Sequence, residues 1–309
     1  TYAYPLAAGG CSNPSVYNVT VVVNPSMTLT STLTPGAICS GTSFSYTPTS
    51  ATPAVVFTWS RAAVAGISNL AGAGAGNPNE VLTNTGATPV VVTYVYTLSA
   101  GGCSNVQNVT VTVNPTPVLT STLTPPAICS NTVFSYAPTS GTAGVTFAWS
   151  RAAVVGISNA VGSGTGNPSE TLINTTTAPV TVTYVYTLTA NGCTNPATYN
   201  VQVVVNPAPT LSSTLTPAAI CSGDLFGYTA TSATAGATFN WSRALVAGIS
   251  NAAASGSGNI SETLVNTGNS PVNVAYVYTV TSNGCTSTQA VVVTVNPVAL
   301  LTSTLNPPS

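Results

Sequence analysis

The segment TFAWSRAAVVGISN at residues 146–159 returns almost unchanged as VFTWSRAAVAGISN at 56–69 and as TFNWSRALVAGISN at 238–251. Trp59, Trp149 and Trp241 stand 90 and 92 residues apart. Asn-Pro pairs at 24–25, 114–115, 206–207 and 296–297 keep the same intervals of 90, 92 and 90. A solenoid repeat is about 20–50 residues long, whereas a unit of this size can enclose a hydrophobic core of its own. The period therefore divides the chain into whole units at 26–115, 116–207 and 208–297. Residues 1–25 match only the C-terminal part of a unit, and residues 298–309, VALLTSTLNPPS, match only its first strand. The 309 residues are thus expected to be a window on a longer array. They hold no signal-peptide pattern and no apolar run of membrane-spanning length.

Within a unit the pattern is β. TVTYVYTLTA at 181–190 alternates and puts Tyr184, Tyr186 and Leu188 on one face. Asn191-Gly192 follows as a two-residue hairpin signal, and ATYNVQVVVNP at 197–207 reads as the partner strand. TVFSYAPT at 132–139, VTFAWSR at 145–151 and SETLINT at 169–175 are further strands. PVLTSTLTPPAIC at 117–129 reads as an opening edge strand interrupted by prolines. RAAVVGISNAVGSGTG is expected to be loop with a short strand, and the glycine-rich GSGTGNPSE at 162–170 to be a flexible loop. Six or seven short strands per unit, with no convincing helix, indicate an all-β chain of tandem sandwiches, arranged as beads on a string.

Charge excludes several functions. Charged residues are 2% of the chain, with three Arg, four acids and no His, for a net charge of −1. Phosphate neutralisation on nucleic acid needs clustered Lys and Arg, and so does attraction to anionic lipid. Neither nucleic-acid binding nor attachment to an anionic lipid surface is therefore expected, and the lack of an apolar run of membrane-spanning length leaves no membrane insertion expected in this segment. Disorder is disfavoured by 44% hydrophobic residues in regular patterns. A surface kept wet by Thr, Ser and Asn has little repulsion to oppose lateral self-association into filaments.

Trp in the third strand and Tyr-x-Tyr in the sixth, where antibody domains carry Tyr-x-Cys, resemble the immunoglobulin-like pattern. More specifically, AICSGTSFSYTPTSATP, TWSRAAVAGISN, TYVYTLSAGGC and VTVNP resemble the PKD-like repeats of very large secreted proteins of gliding bacteria, among them cell-surface adhesins exported by a type IX system. The resemblance spans essentially the whole chain. It implies an immunoglobulin-like (PKD-like) β-sandwich in each unit and an extracellular role.

On that fold Trp59, Trp149 and Trp241 are core residues of the third strand, and Gly156 serves the turn after it. Each unit holds one Arg and one Glu nineteen residues apart: Arg61 and Glu80, Arg151 and Glu170, Arg243 and Glu262. They are expected to form structural ion pairs that pin the long loop; a ligand-binding pair is the alternative. Seven cysteines alternate between an Ile-Cys and a Gly-Cys context, and such use in a secreted-looking β chain implies disulfides and an oxidising compartment. Pairing within a unit, across 64 residues, is the simple alternative. In an immunoglobulin-like sandwich, however, the two cysteines of a unit lie at opposite poles. A ten-residue strand separates the poles by roughly 30 Å, and a disulfide needs Cα atoms within about 7 Å. The short linkers NPTP and NPAP bring opposite poles of neighbours together, which favours Cys39–Cys193 and Cys129–Cys285. Cys11, Cys103 and Cys221 would then bond to units outside this window or at its edges.

Catalysis finds little support. There is no His for acid–base work, no paired carboxylates within a unit, and no base beside the abundant Ser and Thr. GSGTGNPSE lacks the Lys of a phosphate loop. The cysteines are too widely spaced for zinc and have no His partners, four acids are too few for a dedicated calcium site, and no cofactor is expected. Asn-x-Ser/Thr sequons occur at Asn18, Asn108, Asn174, Asn240 and Asn259. The expected function is a structural or adhesive repeat region of an extracellular fibre or stalk on a bacterial cell surface. Its partners would be neighbouring repeats, lateral copies and surface glycans. The alternative is a carbohydrate-binding or spacer module of a large secreted enzyme.

Overall fold

A computed structural model describes residues 1–299. Every regular element among them is a β-strand. The chain forms two compact units. One comprises Thr1–Leu119, Ser140–Thr146 and Leu188–Pro196; the other comprises Thr120–Thr139, Phe147–Thr187 and the chain from Ala197 onward. The dividing line runs through the middle repeat, so the hairpin end of that repeat belongs with the first.

Residues 1–19 form an antiparallel hairpin of β1 (Tyr2–Ala8) and β2 (Cys11–Val19), turned through Gly9 and Gly10 at φ +59° and +84°. The first whole repeat follows with β3 (Ile38–Cys39), β4 (Thr42–Phe44), β5 (Val56–Arg61), β6 (Gly72–Ala75), β7 (Glu80–Leu82), β8 (Val90–Ala100) and β9 (Cys103–Asn114). Its larger sheet has the order β3-β9-β8-β5-β6, and β4 pairs with β7 in a second sheet. The β3–β9 pairing is parallel, Ile38 opposite Val113 and Cys39 opposite Asn114; the others are antiparallel. The period-two alternation of VVVTYVYTLSA drives this arrangement. Val92, Tyr94, Tyr96 and Leu98 lie on one face and are fully buried, with Val109, Val111 and Val113 of β9 beside them. Phe44 and Leu82 of the second sheet close over that face. Each such side chain contributes about 1.5–3 kcal/mol by leaving water.

The middle repeat carries β10 (Ile128–Cys129), β11 (Thr132–Phe134), β12 (Thr146–Arg151), β13 (Gly162–Thr165), β14 (Glu170–Leu172), β15 (Val180–Ala190), β16 (Cys193–Thr194) and β17 (Tyr199–Asn206). β15 pairs with β17 along Val180–Tyr186 and with β16 at its far end. The third repeat has β18 (Ile220–Cys221), β19 (Leu225–Tyr228), β20 (Thr238–Arg243), β21 (Ala254–Ser257), β22 (Ile260–Thr263), β23 (Val272–Ser282) and β24 (Cys285–Asn296). It repeats the sheet order of the first, as β18-β24-β23-β20-β21 with β19-β22.

Two sequence expectations are corrected. The proline-rich opening segment 117–129 is not a continuous strand; only Ile128–Cys129 joins the ladder, parallel to β17. Pro115, Pro117, Pro125 and Pro126 have no N–H to donate, so the segment attaches through single bonds, such as Gln202 N–H to the Leu123 carbonyl and Thr120 N–H to the Thr139 carbonyl. The glycine-rich GSGTGNPSE stretch is not simply a loop. Its first four residues are β13, paired to β12 with Gly164 opposite Trp149. The strand expected at 298–309 lies outside the described residues from 300 onward.

Candidate functional site: ion-pair clusters and cystine junctions

β5, β7 and β8 each send one side chain to a single cluster. Arg61 ends β5 and is almost fully buried. Its Nε donates to Glu80 Oε2 at 2.9 Å and its Nη2 to Oε1 at 3.0 Å, a two-pronged pair. The same guanidinium donates to the carbonyls of Ala62 (3.2 Å) and Leu70 (2.6 Å), so it ties down both ends of the segment between β5 and β6. The Tyr94 hydroxyl completes the cluster by donating to Glu80 Oε2 at 2.6 Å. Arg151, Glu170 and Tyr184 repeat this geometry, as do Arg243, Glu262 and Tyr276.

The bonds from Arg61 hold the Glu80 carboxyl below the usual carboxylate range, against the opposing pull of burial. Glu170 behaves alike. At Glu262 burial is the largest influence and acts upward, but the bonds from Arg243 and Tyr276 outweigh it together. Burial first, and donation to Glu80 second, push the Tyr94 hydroxyl above its ordinary value.

The tryptophans lie against this cluster. Trp59 and Trp149 are buried and Trp241 is half-buried; each meets its tyrosine edge-on, at 5.4 Å for Trp59–Tyr94 and 5.5 Å for Trp149–Tyr184. The indole of Trp149 lies flat on the β13 backbone. A Cβ at Gly164 would sit 2.9 Å from a ring carbon, which explains the glycine. Turning a polar indole onto bare backbone leaves Nε1 of each Trp without a partner among the described residues.

The second recurring arrangement is a junction between consecutive repeats. Cys39 is bonded to Cys193, and Cys129 to Cys285, with Cα atoms 5.5 and 5.6 Å apart. Asn114 lies beside Cys39 in the parallel β3–β9 pair, and its side-chain amide donates to the Asn191 carbonyl at 3.1 Å. Asn206, beside Cys129, donates likewise to Asn283. One hairpin therefore receives a covalent and a hydrogen bond from the same pair of neighbours. Cys11, Cys103 and Cys221 are unbonded and exposed.

All three Arg and three of the four acids are used in the ion pairs, so Asp224 is the one remaining charged side chain. Among the described residues no three of His, Cys, Asp and Glu gather as metal ligands would, and no helix is long and apolar enough to cross a membrane. Of the sequons, Asn174 is buried and its amide donates to both Ala178 and Val205, which removes it as an acceptor in the folded chain. Sequence reasoning missed the tyrosine hydroxyl on the glutamate, the glycine beneath the indole and the asparagine at each hairpin. The repeated Tyr-x-Tyr, Gly-x-Gly and Asn-Pro spacings were the available signals.

Residues 36–117, 126–209 and 218–299 each match the PKD-like domain. The chain belongs to the PKD-like domain family. No curated protein matches it. Among solved structures, the PKD-like array is similar to a three-immunoglobulin-domain I-band fragment of titin (12% identity, 90% of this chain and 100% of that one, TM-score 0.44). It is also similar to EC1-3 of mouse protocadherin-24 (12%, 91% and 100%, TM-score 0.35). A third is the N-terminal eight immunoglobulin domains of Down syndrome cell adhesion molecule (13%, 96% and 39%, TM-score 0.38).

Proposed function

We propose that this chain is a load-bearing repeat region of an extracellular fibre or stalk on a bacterial cell surface, with a structural or adhesive role and no catalysis. The observation that carries the reading is the overlap of the two disulfides. Cys39–Cys193 and Cys129–Cys285 share the stretch between Cys129 and Cys193. Under tension the shortest covalent path runs from Thr1 to Cys39, across to Cys193, back to Cys129 and across to Cys285. Most of the first and third PKD-like repeats is thereby bypassed, so either of these two adds little length when it yields. Disulfides persist in oxidising compartments, and the chain's polar groups serve packing, not a reactive centre. The aromatic side chains of the repeats sit mainly in their cores, which disfavours a glycan-binding platform.

Two measurements test the proposal. Immunogold electron microscopy with an antibody to the repeats should decorate fibres at the surface of producing cells; label confined to the cell interior would sink the extracellular role. Pulling single molecules by their ends should give a final extension about two- to three-fold longer after reduction, from the residues released at about 3.3–3.6 Å each. Equal extension before and after reduction would remove the load-bearing argument.

A further inference from the structure

The larger sheet of each repeat has two edges, and the chain treats them differently. On one side the proline-rich opening segment lies along the last strand: the Thr110 N–H donates to the Leu33 carbonyl at 2.9 Å, Gln202 to Leu123 at 2.8 Å and Val292 to Leu215 at 2.9 Å. On the other side the sheet ends in β6, β13 and β21. An uncovered edge is a row of unpaired N–H and C=O groups that another strand can join.

The register identifies those groups. The Gly76 N–H donates to the Phe57 carbonyl at 2.9 Å, and bonded positions alternate along an antiparallel pair. Gly74 and Gly72 therefore turn their backbone groups toward β5, and Ala73 and Ala75 turn theirs away. The bonds from Gly166 to Phe147 and from Gly258 to Phe239 put Ser163 and Thr165, and Ser255 and Ser257, in the same position. All six residues are exposed, and no described residue bonds to their outward N–H and C=O groups. The segments leading into these strands carry Leu70, Val155, Val161 and Leu245, which are between 72% and 97% exposed, more than any other large apolar side chain of the three repeats.

We infer that this edge is where copies of the chain associate side by side, the edge strand of a repeat in one copy pairing antiparallel with the edge strand of a repeat in a second copy. The edge is complementary to itself. Turned through a two-fold axis at Gly74, it sets Ala73 opposite the second copy's Ala75, and each such contact makes four backbone hydrogen bonds. Charge favours a like partner: residues 62–79, 152–169 and 244–261 hold no charged side chain, and the lysines with which edge strands deter pairing are absent from the whole chain. A lone foreign peptide gains little from four such bonds, because each replaces a bond to water. A second copy offers the same edge in every repeat, so the first pairing raises the local concentration of the rest. The inference rests on backbone geometry and holds whether or not the copies stand on a cell surface.

Sedimentation velocity of the purified whole chain over a range of concentrations tests it, with Cys11, Cys103 and Cys221 alkylated so that no new disulfide contributes. Reversible, concentration-dependent association is expected. A chain carrying Ala73→Lys, Ser163→Lys and Ser255→Lys should associate about ten-fold or more weakly. So should one carrying Ala75→Pro, Thr165→Pro and Ser257→Pro, which loses only outward N–H donors. Val91→Lys, Thr181→Lys and Asn273→Lys together add the same charge at exposed positions of β8, β15 and β23, and should leave association unchanged. Mixing the edge-lysine chain with one carrying Ala75→Glu, Thr165→Glu and Ser257→Glu should restore association as mixed oligomers, because the two altered positions face each other in the antiparallel register. An unchanged melting temperature and recovery of the Cys39–Cys193 and Cys129–Cys285 peptides show that each variant has folded. Four outcomes would overturn the inference: a monomer at every concentration, edge-lysine chains that associate like the unaltered one, control lysines that weaken association equally, or a lysine–glutamate mixture that stays monomeric. None of these bears on whether the fibre is extracellular, which the immunogold label decides separately.

Discussion

The hairpin β1–β2 and the hairpin β8–β9 carry nearly the same words, TYAYPLAAGGC and TYVYTLSAGGC, and pair in the same register. Tyr2 faces Val19 as Tyr94 faces Val109, and a bulge between Pro5 and Ala7 absorbs the extra length of β2. Their burial is opposite. Tyr94, Tyr96 and Leu98 are 0% exposed, whereas Tyr2, Tyr4 and Leu6 are 62%, 51% and 52% exposed. Phe44, Tyr46 and Trp59 make the difference, with ring centroids 4.9 to 5.4 Å from the tyrosines of β8. Strand pairing is thus a local property of the words. A core, and the ion-pair cluster it shelters, needs the second layer.

The sharpest break of this comparison is at the hairpin cysteines. Cys39→Ser frees a loop that spans 154 residues, and chain entropy predicts a loss of about 4–5 kcal/mol in urea melts. Cys103→Ser, on a hairpin with no disulfide, should leave the melt unchanged. Next come the layered residues. Tyr94→Ala should cost about 3–5 kcal/mol, and Tyr2→Ala less than about 0.5 kcal/mol; equal effects would show that the hairpin β1–β2 also acquires a covering layer. Arg151→Ala should cost a similar ~3–5 kcal/mol, because it leaves Glu170 unpaired beside the core. If Arg151→Ala kept its melting temperature but lost a binding activity, the pair would be a ligand site.

Gly164→Val should cost about 1–3 kcal/mol by overpacking the indole of Trp149, with a shift in Trp fluorescence as the readout. The smallest effect is that of pH. The depressed carboxyls of Glu80, Glu170 and Glu262 contribute stability that is complete above the unfolded glutamate value of about 4.3. That contribution is lost as pH falls through their lower folded values. The buried tyrosines, among them Tyr278 pushed up to about 12, act at the other limb. Their contribution is complete below the unfolded value of about 10 and is lost as pH rises beyond it. With no His in the chain, the melting temperature should stay flat from about pH 5 to about pH 9. A titration within that window would point to a group outside these clusters.

Much of the fold was legible because a strand writes its two faces into alternate residues. VTVTYVYTLTA and its Asn191-Gly192 turn give the β15 hairpin directly, with Asn191 and Gly192 at φ +51° and +76°. The opening segment was harder. Its Thr-rich alternation suggests a strand, but prolines remove the donors a ladder needs. The glycines of β13 looked like flexibility, whereas they are a flat seat for an indole that arrives from another strand. Nothing within a few residues of Gly164 carries that information.

The amino-acid sequence alone determined the 90-residue beat, the all-β alternation, the hairpins and the near absence of charge. These depend on spacing along the chain, where each residue's direction follows from its neighbours. The tertiary structure decided between the two cysteine pairings that the sequence left open, and it alone decided which tyrosines are dry and that Glu80 is shared by Arg61 and Tyr94. Such contacts join residues between 14 and 156 positions apart. Their partners are chosen by how sheets stack and repeats abut, and backbone periodicity does not specify that.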